Sequence, residues 1–192
     1  MRKSLNNTLL GIIVLIAVIC VIYYYAFPHF VHENIATAEV KNHLENAFDI
    51  SFKQSGESNW QVQTVDTGHK TLNTCSYSLE DKDGALDWLE IRISYGGIEE
   101  YEAFYAESEE IFAAALASVF NDETNIKHAT KFLDKYWPQS NDANIVEIRQ
   151  TKLIGDYTLV LRAKPVGDEQ NRYYDRFSLY IVHDTNYHFA SE

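Results

Sequence analysis

The stretch TLNTCSYSLEDKDGALDWLEIRISY, residues 71–95, decides the fold. In its first half Cys75, Tyr77 and Leu79 alternate with Thr74, Ser76 and Ser78. In its second half Leu89, Ile91, Ile93 and Tyr95 alternate with Glu90, Arg92 and Ser94. A period of two belongs to a strand that buries one face and wets the other. Between the runs stands Asp81-Lys82-Asp83-Gly84, and an Asp-Gly pair accepts the left-handed backbone of a tight hairpin. The spacing predicts strands over 71–80 and 85–95, paired antiparallel. Asp81, Asp83 and Gly84 also match a fragment of a calcium loop, but such a loop needs further oxygen ligands and a closing Glu. Here the chain turns straight into a strand, so the hairpin turn is preferred.

Downstream, Gly96-Gly97 ends the alternation and the period lengthens to that of a helix. Tyr101, Phe104, Tyr105, Ser108, Phe112, Ala115, Leu116 and Val119 share one face, the stripe a helix buries. After Asn121-Asp122 a second helix carries Ile126, Ala129, Leu133 and Tyr136 on one stripe, and Pro138 stops it. Two runs, 144–153 and 156–164, flank Gly155-Asp156 as a further hairpin. A polar loop over 165–171 leads to a last strand over 173–184, with Phe177, Leu179 and Ile181 opposite Arg176, Ser178 and Tyr180. Upstream, short strands are expected at 49–53 and 60–65. An amphipathic helix is expected over 31–48, with Ala36, Val40, His43, Leu44 and Ala47 on its stripe. Hairpins and helices that arrive in separate blocks predict an α+β fold, an antiparallel sheet covered by helices. Whether the strands form one sheet or two stays open, and no residue-level repeat relates the two halves although their element order is similar.

The N-terminal run TLLGIIVLIAVICVIYYYAF, residues 8–27, holds no charge. As a helix it reaches about 30 Å, the thickness of a bilayer's hydrocarbon core. Tyr23, Tyr24 and Tyr25 fall where amphipathic rings favour the headgroup level, and Arg2 and Lys3 precede the run. No small-x-small cleavage site follows the apolar core, and Cys20 lacks the preceding small residue of a lipoprotein signal. Positive charge stays on the cytoplasmic side. The expected order is a cytoplasmic N-terminus at 1–7, a transmembrane signal anchor at 8–27, a stalk or amphipathic helix at 28–48 and an extracytoplasmic α+β domain at 49–192. That places the protein in the cell membrane as a single-pass protein of the envelope. The layout (apolar helix, aromatic end, Pro28, amphipathic continuation, antiparallel sheet) resembles that of type IV pilins and pseudopilins. That family's processing motif has a Gly before the apolar run and a Glu five residues into it; here Lys3-Ser4-Leu5-Asn6-Asn7 precedes the run, and no Glu lies within it. The resemblance covers layout alone.

Setting Arg2 and Lys3 aside from the 16 basic residues leaves 14 against 28 acidic ones, a formal charge of −14 beyond the anchor. A surface this acidic repels nucleic acid and anionic headgroups, so no nucleic-acid partner is expected. Cys75 alone lies beyond the anchor, which excludes an internal disulfide there and leaves the core to hold the fold. Its place on the apolar face of a strand predicts a buried, inert thiol.

Chemistry is sparse. The chain has no Gly-rich phosphate loop, H-E-x-x-H, G-x-S-x-G or paired C-x-x-C. His29 and His32 are spaced as helix neighbours, and His183 and His188 lie near the end, but zinc needs three or four converging ligands and no third is in prospect. Neither a metal nor another cofactor is expected. Glu99, Glu100, Glu102, Glu107, Glu109 and Glu110 offer carboxyls for sugar cleavage, which requires a pair held in a cleft. Their crowding near a helix N-terminus is favoured by the macrodipole without any ligand. Arg172, Tyr173, Tyr174, Arg176, Tyr180 and Tyr187 gather around the last strand as a candidate recognition patch for a protein or a glycan. The expected function is a membrane-anchored, non-enzymatic binding module, held by 8–27 and facing a protein or other envelope partner. The alternatives are an anchored hydrolase using carboxylates, and a subunit of a secretion, conjugation or division assembly.

Overall fold

Strands and helices follow one another as the two periodicities dictate. In the computed structural model the described residues are 33–64, 72–95, 101–138, 145–167 and 173–183, with Ile16 and Val18 in helical conformation. The order is α1 (Thr37–Phe48), β1 (Lys53–Gln54), β2 (Asn59–Thr64), β3 (Leu72–Lys82), β4 (Ala85–Tyr95), α2 (Tyr101–Val119), α3 (Glu123–Tyr136), β5 (Ile148–Ile154), β6 (Tyr157–Val166) and β7 (Tyr173–His183). The protein is α+β, with seven antiparallel strands in one sheet and three helices among the described residues. No described helix is long and apolar enough to cross a membrane. The expected span at 8–27 falls outside the described residues save Ile16 and Val18.

The decisive hairpin turns through Asp83 and Gly84, at φ of 55° and 85°, the two left-handed residues of a type I′ turn. Sheet order is β1-β2-β3-β4-β7-β6-β5. Two meanders therefore lie side by side and meet along β4 and β7. One sheet face is apolar across its central strands: Tyr77, Ile91, Leu179 and Leu161 form one row across four strands, and Leu79, Leu89, Ile181 and Leu159 form the next. All eight are buried.

The helices lie on that face. Val40 and Leu44 of α1, Phe104, Phe112, Ala115 and Leu116 of α2, and Ala129 and Leu133 of α3 are buried. Phe177 is the centre of the aromatic core, with its ring 5.3 Å from Phe104, 5.2 Å from Tyr105 and 4.6 Å from Trp137. Asp122 caps α3 by accepting from the backbone N–H groups of Thr124 and Asn125, which satisfies donors the helix itself leaves unmade.

Three boundaries differ from expectation, and the simplest is the strand expected from residue 144, which begins at Ile148. The helix expected from residue 31 begins at Thr37. Before it the chain joins the hairpin: Ala36 bridges Ala85, Leu86 N–H donates to Ile35 O, and Thr37 N–H donates to Gly84 O. The strand expected over 49–53 shortens to Lys53–Gln54, because Ile50 and Phe52 turn into the core and the Phe52 N–H donates to Glu45 at 2.8 Å.

Glu33 fastens the start of the fold to the α2–α3 connection. Its carboxylate accepts from the N–H groups of Asn121 and Asp122 at 2.8 and 3.2 Å, and from Asn125 Nδ2 at 2.6 Å.

Cys75 sits on the apolar face beside Tyr77. Burial, partly offset by the Tyr77 hydroxyl, pushes its thiol up to about 11. Burial, then Cys75, pushes Tyr77 up as well. At pH 8, Cys75 in the folded chain should alkylate at least about a hundredfold more slowly than in the unfolded chain, the factor two pH units impose on thiolate content; mass spectrometry of iodoacetamide-treated protein reads the ratio. Because the folded thiol is the weaker acid, its contribution to stability is complete below pH 9 and is lost as pH rises through about 11.

Candidate functional site

The second face of the sheet has no described helix over it, and three rows cross it. The first is Arg149, Arg162, Ser178, Arg92, Ser76; the second is Thr151, Val160, Tyr180, Glu90, Ser78, Gln61; the third is Leu153, Thr158, Val182, Trp88, Glu80, Asn59. Neighbouring strands lie about 4.8 Å apart, so the first row spans about 19 Å over five strands.

Val160 and Val182 are buried at the centre, with the half-buried rings of Trp88 and Tyr180 packed against them. The polar tips of both aromatics are held. Trp88 Nε1 donates to Glu80, Tyr180 is hydrogen-bonded to Arg92, and the Arg162 guanidinium carbon stands 5.4 Å from the Tyr180 ring centroid. Arg92 pairs with Glu90 on its own strand. Burial pulls the Arg92 guanidinium down, and Glu90 with Tyr180 more than offsets it, so its net shift is upward. Arg149 and Arg176 are exposed on the same face. Toward the β1 edge the face hollows into a shallow groove of about 530 Å³, lined by Lys53, Gln54, Ser55, Gln61, Ser76 and Ser78. Two half-buried aromatics with held tips, a set of arginines and a polar groove thus share one face of the sheet. No acid–base pair or nucleophile with a base stands among these residues.

Of the residues the sequence marks out around the last strand, Arg176 and Tyr180 lie on this face. Tyr173 is half-buried where β7 begins. Tyr174 belongs to the core instead: it is 3% exposed, its ring is 6.1 Å from Tyr105 and 5.7 Å from Phe177, and its hydroxyl donates to Val146 O. A bulge turns it inward, since between the pairs Ala163–Phe177 and Pro165–Tyr174 two residues of β7, Asp175 and Arg176, stand against one of β6, Lys164. Arg172 and Tyr187 lie outside the described residues.

His183 stacks edge-on against Tyr157 at 5.3 Å on the helix side; His29, His32 and His188 lie outside the described residues, as do Glu99 and Glu100. Among the described residues no group of three His, Cys, Asp or Glu is placed to hold a metal. Glu109 is raised by burial, then by Asp134 and Glu110, but it lies on α2, across the sheet from the groove.

Sequence reasoning passed over Trp88, Arg92, Arg149 and Arg162. Trp88 left a signal: it shares the phase of Glu90 and Arg92, where a large aromatic is out of place on a merely solvated face. No protein-family model, curated protein or solved structure matches the chain.

Proposed function

We propose that the protein is a single-pass, membrane-anchored interaction module of the cell envelope, non-enzymatic, which receives a protein partner on the uncovered face of its sheet. The anchor reading is supported by the uncharged run at 8–27 with Arg2 and Lys3 before it. The binding reading is carried by one observation: Trp88 and Tyr180 with their tips fixed, by Glu80 and by Arg92, on a sheet face that no described helix covers. Such side chains lose little freedom on contact, so they bind without a large ordering cost. A tether keeps the module in a thin layer beside the membrane and raises its effective concentration toward partners there.

A photoreactive side chain placed at Gln61 or Thr151, both exposed on the open face, tests the binding reading in intact cells carrying the full chain. Discrete protein adducts are expected from these positions and not from Ala114 or Ala117, exposed on α2. Adducts from α2 alone, or from neither site, would sink it. The identity of the adduct decides whether the partner belongs to a secretion, conjugation or division assembly. Protease added to intact cells is expected to digest residues beyond the anchor; their survival would overturn the topology.

A further inference from the structure

Building on the interaction face just described, we infer that its partner is a carboxylate-rich polypeptide segment. The chain carries a formal charge of −12, yet charge is segregated within it. Away from the β3–β4 turn, paired positions on the open face hold five basic residues, Lys53, Arg92, Arg149, Arg162 and Arg176, against two acidic ones, Glu80 and Glu90. The two acids are already engaged, Glu80 by Trp88 and Glu90 by Arg92. The helix layer has the opposite balance: Glu39, Glu45, Glu107, Glu109, Glu110, Glu123 and Asp134 against Lys41, Lys127, Lys131 and Lys135. An acidic molecule that concentrates cations on the sheet face no described helix covers has a surface complementary to anions there.

The kind of cation narrows the partner. Four of the five are arginines, whose forked donors match carboxylates two bonds at a time, where lysine offers a point charge. Trp, Tyr and Arg around buried small residues is the composition of a protein-binding hot spot. The groove of about 530 Å³ continues the arginine row beyond Ser76, so an extended segment finds both charge and a channel along one line. A second copy presenting the same face is disfavoured, since it would oppose five cations to five.

The test uses the full chain in detergent micelles and labelled poly-L-glutamate as probe, read by fluorescence anisotropy at low and high salt. Saturable binding that weakens with salt is expected. The double variant Arg149→Glu/Arg176→Glu should weaken it by at least about tenfold, and Lys127→Glu/Lys131→Glu, the same charge change on α3, by less than about threefold. Absence of binding, or equal losses in both variants, would overturn the inference. So would tighter binding of polygalacturonate or of phosphatidylglycerol vesicles, which would assign the face to a glycan or a lipid surface. Circular dichroism of both variants excludes unfolding as the cause. If polyglutamate fails while Gln61 and Thr151 still crosslink to protein in cells, the acidic-partner inference falls and the interaction face stands.

Discussion

Phe177→Ala is expected to lower the free energy of unfolding by about 3–5 kcal/mol, the cost of deleting a fully buried aromatic whose neighbours relax only in part. Phe177 has no exposed surface. Its ring meets Phe104 and Tyr105 of α2, Trp137 after α3, and Tyr174 of its own strand. Four rings from three segments would therefore line the void, and none can fill it without leaving its own contacts. Denaturant unfolding should show the midpoint falling at unchanged slope. Arg176→Ala, the adjacent residue with its side chain on the other face, should stay within about 0.5 kcal/mol. A loss below about 1 kcal/mol for Phe177→Ala would mean that the helices do not pack on the sheet as described.

Glu33→Ala is the second large effect, at about 2–4 kcal/mol. One carboxylate satisfies two backbone N–H groups at the α2–α3 connection and the amide of Asn125, and Asn125 is wholly buried. Bonds to a charged acceptor contribute more than neutral ones, and the donors left behind keep their full desolvation penalty. Glu33→Gln retains one acceptor oxygen and should lose roughly half as much. Hydrogen exchange at the Asn121 and Asp122 amides separates this from a diffuse loss of stability. Both should exchange faster in Glu33→Ala at denaturant concentrations where the apolar sheet rows remain protected. Unchanged exchange there would remove the clamp from the account.

How far the fold is legible in the sequence depends on the range of the contact. The alternation of Cys75, Tyr77 and Leu79 against Leu89, Ile91 and Ile93 is local, and strands β3 and β4 formed within two residues of expectation. The helical stripe from Phe104 to Val119 was equally plain. Bulges were not legible, because one added residue reverses the phase of everything beyond it. The bulge in β7 sends Tyr174 into the core, while strict alternation from Phe177 would set it beside Arg176. Likewise Asp87 is the extra residue of β4, where Glu80 faces Trp88 and Asp81 faces Leu86. It buries Leu86 while Trp88 stays on the open face. The arginines of that face stand on four strands, Arg92 on β4 far upstream of Arg149, Arg162 and Arg176 on β5, β6 and β7. Their meeting required knowing that β7 lies between β4 and β6, which no local pattern states.

That neighbour relation also bears on assembly of the molecule. Among the described strands, every other pairing joins consecutive strands through a hairpin or short connection, whereas β4 with β7 closes a loop of about eighty residues, through seven residue pairs from Trp88–Val182 to Ser94–Arg176. Closing so long a loop carries the larger entropic cost and follows the local pairings. Each meander is thus a kinetic unit in waiting, and the zipper between Ile91 and Leu179 is the step that commits the polypeptide to its native state.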